Sequence, residues 1–505
     1  MNRLLLIALF SFGNVALSFA QSDQSIIKAG DFEAIVLANG SCFANKKAEI
    51  YNGFSQNLNN HFFRYSAPWM VGVLPDTVRA KISIKATQPQ FWPGPIDTLN
   101  GEPKDAINWA KTWPISREIV NYHRKHYTEA EYILSDEIKN WPAKHNETNV
   151  SAYLAPFIDW NVNGVYDPEN GDYPSFIGDQ AVYFIANDLY GENLLPNSQK
   201  LGVEIQGLIY TYNDPILQNV LFNTYYVINR SSDNYSPFYF GQFLDFELGN
   251  STDNYVATDV NRNLFYGFNG DENDENFFNN NLPQGGVMFL DKELHSSTIL
   301  IETDSVRGFP QNEKQVYNLA EGMWFNGLSK LNSGNGVSEG SNTRYIYTDE
   351  KFSDAHSLDN PGERKGVAFV KFDRLKSHDF VKIEFAFIVG ADSISGLEKF
   401  LVKSDDVREF FNNKLTVDHF EDNIEVGVYP NPLNLNLVNT LYINALSVDL
   451  YDCMGHYIVT LEQVNSAENE FKVPCNESFS SGIYYLNITR KGEKKAWQKL
   501  VIVKD

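Results

Sequence analysis

The feature that most constrains the fold is a series of runs in which apolar and polar residues alternate. Four of them follow one another between residues 180 and 248, and they read QAVYFIAND, VEIQGLIYTYN, NVLFNTYYVINR and PFYFGQFLDFEL. A period of two places successive side chains on opposite faces of a strand, and Tyr, Phe, Val and Ile are enriched in strands. The pattern predicts a mainly β chain whose central region, residues 21–415, is a β-sandwich-type fold.

A few helices interrupt this pattern. Helical periodicity occurs in SREIVNYHRKHY, in EAEYILSDEIKNW and in GLEKFLVKSDDVREFFNN. The second of these ends before Pro142, as helices commonly do before proline. We therefore expect three helices within or beside the central sheets.

The first twenty residues have the composition of a secretory signal peptide. Arg3 precedes an apolar run from Leu4 to Phe12, and Ser18 and Ala20 form a small-x-small pattern before Gln21. Such a segment predicts export and removal of residues 1–20. The net charge of −23 argues against nucleic acid or an anionic membrane as a partner.

The sequence pattern changes in the last eighty residues. An acidic stretch at residues 416–425 is the expected linker, and residues 426–505 contain short strands separated by tight turns. They predict a small immunoglobulin-like β-sandwich. Cys453 and Cys475 lie within it, and they either form a disulfide or remain two small buried side chains.

Short motifs in this unit resemble the type A sorting domain of the type IX secretion system. They are YPNP, the glycine that ends LYDCMG, SGIYYLNI and the final QKLVIV, with Tyr429, Pro430, Asn431, Pro432, Gly455, Gly482, Tyr484 and Lys499 as the matching residues. The resemblance implies export across the inner and outer membranes by the type IX translocon. It further implies removal of the domain by a sortase-like peptidase, followed by release or by attachment to a surface glycolipid.

Most of residues 30–415 resembles an uncharacterised family of large secreted proteins that carry this sorting domain. The likeness is carried by FWPGPID, APFIDWNVNGVYDPENGDYP, GDQAVYFIAND and LDFELGNSTDNYVATD. This resemblance implies no activity.

Oxygen-bearing side chains fall on alternate positions in the loop DWNVNGVYDPENGDYP. Calcium requires six or more oxygen ligands, and glycine permits the sharp turn of a loop around the ion. The expected ligands are Asp159, Asn161, Asn163, the carbonyl of Val165, and Asp167, with the turn at Gly164. Asn170 occupies the usual place of a bidentate glutamate, although Glu169 and Asp172 are near. The alternative is a metal-free polar turn.

A second acidic group comprises Asp245, Glu247, Asp253 and Asp259. If Asp245 and Glu247 lie on one strand, they point to the same face and could serve as the carboxyl pair of a glycosidase. The same residues could instead bind a second cation or form a solvated strand end.

Five tryptophans, at positions 69, 92, 109, 113 and 141, lie in the first third of the chain. Large aromatic side chains of this kind are more often core residues than a stacking platform for sugars. We expect them to be buried.

These patterns predict a secreted or cell-surface binding or adhesion protein that is stabilised by calcium and recognises an extracellular ligand. The alternative is a secreted hydrolase of glycans or peptides that uses Asp245 and Glu247. The sequence contains no phosphate loop, cofactor fingerprint or protease triad. The enzyme alternative therefore depends on carboxylates alone.

Overall fold

The structure is a computed structural model. It describes residues 23–143, 149–150, 154–160, 165–191, 193–271, 273–274, 277–302, 304–348, 360–392, 396–416, 433–434, 440–443, 445–451, 457–465, 470–473, 482–489 and 495–503. The leader, the expected linker beyond Thr416, both C-terminal cysteines, Asn161, Asn163, Gly164, Tyr429 to Pro432, and Gly455 lie outside the described residues.

Strands dominate the described chain. They are β1 (Gln24–Ala29), β2 (Phe32–Leu37), β3 (Asn52–Phe54), β4 (Phe63–Val73), β5 (Val78–Lys81), β6 (Trp92–Pro93), β7 (Trp113–Ser116), β8 (Phe157–Ile158), β9 (Tyr173–Pro174), β10 (Gln180–Asn187), β11 (Val203–Thr211), β12 (Val220–Asn229), β13 (Phe238–Phe246), β14 (Asn254–Asp259), β15 (Leu264–Asn269), β16 (Leu282–Phe289), β17 (Ser296–Leu300), β18 (Lys330–Ser333), β19 (Glu339–Thr343), β20 (Lys365–Phe372), β21 (Phe380–Asp392), β22 (Leu433–Asn434), β23 (Thr440–Tyr442), β24 (Ser447–Tyr451), β25 (Tyr457–Thr460), β26 (Glu462–Asn465), β27 (Glu470–Lys472), β28 (Gly482–Thr489) and β29 (Lys495–Val503). The prediction of a mainly β chain is confirmed.

Helices are few by comparison. They are α1 (Arg117–His126), α2 (Asp136–Lys139), α3 (Glu313–Ala320) and α4 (Gly396–Thr416), with one 3₁₀ turn at Pro168–Asn170. No described helix has the length and apolar character needed to cross a membrane.

Two antiparallel sheets form the central region. One has nine strands in the order β14-β15-β16-β21-β12-β11-β10-β6, and β7 also pairs with β10. The other has five strands in the order β17-β20-β13-β4-β5. Smaller sheets are β1-β2-β3, β18-β19 and β8-β9. In this order β13 is the middle strand of the five-stranded sheet.

The two main sheets pack face to face through aromatic side chains. Phe240 of β13 contacts Phe385 of β21, with ring centroids 5.9 Å apart, and Tyr225 of β12 at 6.1 Å. Phe63 of β4 lies 6.1 Å from Phe387 of β21. Edge-on and tilted ring pairs of this kind add favourable electrostatics to the burial of apolar area. This layer is the core of the β-sandwich.

The outer faces of both main sheets are covered as well. Val316 and Leu319 of α3 belong to the same apolar cluster as the outer residues of β4 and β13. Phe400 and Val407 of α4 belong to the cluster on the outer face of the nine-stranded sheet. All nine residues of β13 are therefore buried, because neither face of this strand is left in solvent.

The tryptophans are mostly core residues, as expected. Trp69, Trp109, Trp113 and Trp141 are all buried. Trp92 is only partly buried, and its ring lies 5.0 Å from that of Tyr190.

The C-terminal unit consists of two small sheets. One has the order β22-β29-β28-β24-β25 and the other the order β23-β27-β26. Leu450 of β24, Leu486 of β28 and Leu500 of β29 are buried in one apolar cluster. The expected small two-sheet unit is thus present. Gly482 is the first residue of β28, Tyr484 is buried within that strand, and Lys499 pairs in register with Tyr485.

The second predicted helix is shorter than its sequence pattern indicates. The chain makes turns after Tyr127, and a helix forms only at Asp136–Lys139, where the Ser135 side chain accepts a hydrogen bond from the Ile138 amide. A serine that caps the helix at this position begins a new helix instead of continuing one. The prediction of helix through residues 129–135 is wrong.

Candidate functional site

The predicted metal loop joins two short paired strands. Ile158 of β8 lies opposite Tyr173 of β9, so Asp159, which follows β8, and Asp172, which precedes β9, flank the paired ends of the two strands. Both side chains are completely buried, at 0 % exposure. The hairpin therefore brings together two carboxyl groups that are thirteen positions apart in the chain.

Asp172 closes this loop through its carboxylate. One oxygen accepts a hydrogen bond from the Trp160 amide at 2.7 Å, and the other accepts one from the Asp167 amide at 2.8 Å. Burial raises the pKa of Asp172 to about 7, the two amide donors lower it, and the neighbouring charge of Asp159 raises it further. The hairpin thus buries two acidic groups near one another, where the charged form of each is costly.

Two more of the expected ligands, Val165 and Asp167, lie in the described part of the loop between Asp159 and Asp172. Asp167 accepts a hydrogen bond from the side-chain amide of Asn170 at 2.8 Å. Asn170, in the place where a bidentate glutamate is usual, therefore holds the Asp167 carboxylate by a hydrogen bond. Val165 is 48 % exposed. Within the described part of the chain, no three His, Cys, Asp or Glu side chains are arranged to hold a metal. A calcium site here would therefore need oxygens from Asn161 and Asn163, which lie outside the described residues.

A cavity of about 300 Å³ lies between this hairpin and α1. Its lining is formed by side chains from two places in the sequence: Asn121, Arg124, Lys125 and Tyr127 from α1 and its end, and Trp160, Gly171 and Tyr173 from the hairpin. Sites for small ligands are concave, mix aromatic with polar groups, and have volumes from roughly 300 to 1,000 Å³. This cavity lies at the lower end of that range, and one of its walls is the candidate metal loop.

A glycine is required where the cavity wall turns. Gly171 has φ of +105°, and a β-carbon placed on it would lie 2.8 Å from the Trp160 ring and 2.9 Å from the Tyr127 ring. Both the backbone conformation and the space exclude a larger side chain. The absence of a side chain thus lets both rings pack close to the backbone of this residue.

His123 links α1 to the hairpin through hydrogen bonds. Its Nε2 donates to the carbonyl oxygen of Asp172 at 2.9 Å, and its Nδ1 accepts from the Tyr132 hydroxyl at 2.9 Å. Burial lowers the pKa of His123, which favours the neutral ring that this pair of bonds requires. The helix and the acidic loop are consequently held as one wall.

The second acidic group is divided by the fold. Asp245 is buried at 6 % exposure near the end of β13, opposite Lys365 of β20. Burial raises its pKa to about 7, while Lys365 and Arg64 lower it. Glu247 follows the strand beyond a bulge and accepts a hydrogen bond from Arg64 Nε at 3.0 Å. Both carboxyl groups therefore face cations of the protein itself.

Asp253 and Asp259 lie at opposite ends of β14. Asp253 is buried immediately before the strand, whereas Asp259 is its last residue. Six residues along a strand correspond to about 20 Å. Asp259 is paired with Arg262, which also pairs with Asp405 of α4. The structure does not bring Asp253 and Asp259 together.

Comparison with known proteins identifies the C-terminal unit. The family profile "Secretion system C-terminal sorting domain" matches residues 427–503. No curated protein matches the chain.

Among solved structures, one titled as a polysaccharide lyase is 10 % identical and covers 60 % of this chain. The chain in turn spans 34 % of that protein, and the TM-score is 0.19. A TM-score this low carries no argument about fold or chemistry.

The family profile, the spaced motifs and the two small sheets agree on the role of the C-terminal unit. Residues 427–503 are a type IX secretion C-terminal sorting domain, and the protein is handled by the type IX secretion system and exported to the cell surface or the extracellular space.

Proposed function

We propose that the region preceding the sorting domain is a non-enzymatic binding module that calcium stabilises at the loop from Asp159 to Asp172. The observation that carries this proposal is the pair of buried carboxyl groups, Asp159 and Asp172, at the paired ends of β8 and β9. Buried like charges repel one another, and a divalent cation coordinated by such groups removes the repulsion. The spacing of Asp159, Asn161, Asn163 and Asp167 supplies further oxygen ligands.

The position of the loop supports a role in binding. Trp160 and Gly171 belong to the loop and also line the cavity beside α1. A cation that fixes the loop would therefore fix the shape of the cavity. Preorganised walls lower the entropic cost of ordering a site when a ligand binds.

The hydrolase alternative receives less support from the structure. A catalytic carboxyl pair must reach the scissile bond of its substrate. Asp245 is buried in a central strand, and Glu247 is held by Arg64. Neither residue lines the cavity beside the hairpin.

The metal proposal is tested with the full exported chain. Purified protein is analysed for metal content, and its thermal unfolding is followed before and after chelation. Calcium at a hundred times its Kd stabilises a folded protein by about 2.7 kcal/mol. We expect chelation to lower the melting temperature, and calcium but not magnesium to restore it.

Two variants and a control locate the effect. Asp159→Asn and Asn161→Ala should each weaken the calcium response, while Asp76→Asn, at an exposed aspartate outside the loop, should keep it. Bound calcium whose effect survives both loop substitutions would place the ion elsewhere. A protein without metal, whose melting temperature ignores both chelator and calcium, would refute the proposal.

A further inference from the structure

The cavity beside the hairpin carries positive charge in a strongly acidic protein. Arg124 and Lys125 both line it, and neither forms an ion pair within the part of the chain that the structure describes. The chain as a whole has a net charge of −23. Basic residues in the last turn offset the dipole of α1. That effect does not require them to line a cavity, so the two cations are available to an anionic ligand.

Arg124 is held in place without neutralising its charge. Its guanidinium lies over the Tyr173 ring, 5.1 Å from the ring centroid, and one of its nitrogens is 3.5 Å from the side-chain oxygen of Asn121. A cation over an aromatic face keeps its N–H groups free at the edge of the guanidinium plane. An arginine fixed in this way can bind a carboxylate through two parallel hydrogen bonds.

Three aromatic rings complete the wall. Tyr127 and Trp160 are partly exposed at the cavity, and Tyr173 is buried behind Arg124. The face of an aromatic ring is negative and attracts C–H groups that carry a small positive charge. The C–H faces of a sugar ring fit this requirement, and the flexible side chains of an acidic peptide offer no comparable rigid face.

We propose that this cavity binds an acidic saccharide, with a uronic acid carboxylate on Arg124, a sugar face against Trp160, and a hydroxyl on Asn121. Its volume of about 300 Å³ suits one or two sugar rings. Lys125, at the rim, adds attraction that is screened by salt. The inference rests on the proposed binding function and names the ligand class of the same cavity.

The test is a calorimetric titration of the full chain, in calcium, with a linear trimer of glucuronic acid. Cellotriose serves as the neutral sugar and triglutamate as the acidic peptide. We expect the acidic trisaccharide to bind at least tenfold more tightly than either. Arg124→Gln should weaken that binding by tenfold or more, and Arg124→Lys by less, because lysine keeps the charge but loses the paired hydrogen bonds.

Further variants separate stacking from folding. Trp160→Phe keeps an aromatic face and should bind within threefold of the parent, whereas Trp160→Ala should lose tenfold or more. Lys399→Gln removes an exposed cation of α4 and should change nothing. Equal binding of the three ligands, tighter binding of triglutamate, or unchanged binding by Arg124→Gln would each overturn the inference.

The same samples distinguish failure of this inference from failure of the calcium proposal. Melting temperatures of the parent and of Arg124→Gln are recorded with calcium and with chelator. A calcium response in both proteins without saccharide binding would reject the ligand class alone. Saccharide binding that depends on Arg124, in a protein whose melting temperature responds to neither calcium nor chelator, would uphold the ligand class and reject the metal.

Discussion

Replacement of Lys330 by methionine tests how much stability the burial of a charge costs this fold. Lys330 begins β18 and is completely buried; its ammonium donates to the Ser297 carbonyl at 2.7 Å and lies 5.4 Å from the Trp324 ring centroid. Burial lowers the pKa of Lys330 from 10.5 to about 7. Each pKa unit corresponds to about 1.4 kcal/mol, so full protonation opposes folding by about 5 kcal/mol.

The sign of the pH dependence follows from proton binding. Between pH 7 and 10.5 the unfolded chain holds a proton on this lysine that the folded chain has lost, so stability rises with pH. Relative to Lys330→Met, the parent should therefore gain about 2 kcal/mol between pH 7 and pH 9. Below pH 6 both states are protonated, and the difference between the two proteins should be constant, with the variant the more stable.

The assay is urea unfolding of both proteins from pH 6 to pH 9, and only the difference in free energy is interpreted, because other groups titrate equally in both. Lys399→Met is the control, since Lys399 is an exposed residue that pairs with Asp392. Its difference from the parent should not vary with pH in this range. A parent-minus-variant difference that stays flat from pH 6 to pH 9 would show that Lys330 is not desolvated, and would refute the reasoning.

Two further changes test buried charge and the cavity wall. Arg230→Met removes the cation that lies 3.0 Å from the fully buried Glu204. It should lower the free energy of unfolding, measured in urea, by about 3–5 kcal/mol, and Arg230→Lys should lower it less. A loss below about 1 kcal/mol for Arg230→Met would contradict burial of the pair. Gly171→Ala forces a β-carbon toward Trp160 and Tyr127 in a left-handed backbone conformation. It should lower the free energy of unfolding by about 1–3 kcal/mol and weaken ligand binding at the cavity. An unchanged melting temperature would show that the loop can relax at this residue.

Local sequence patterns were enough to predict most strands of this protein and its sorting domain. Alternation with period two is a property of each strand alone, so runs such as VEIQGLIYTYN indicated strands before any partner was known. The sorting domain was also recognisable, because its motifs are short and lie in order at one end of the chain. Even the hairpin loop could be singled out, since its oxygen-bearing side chains are close in sequence.

Other features depend on contacts between distant segments, and only the tertiary structure decided them. The sequence pattern did not show that Asp245 would be buried, because burial required β4, β20 and a second layer to cover β13. Helix through residues 129–135 was predicted from periodicity, yet Ser135 capped a shorter helix. The cavity joins Arg124 to Trp160 across thirty-six positions, and its formation required His123 to fasten α1 to the hairpin. Periodicity records which way a side chain points along its own element, whereas packing decides what it meets.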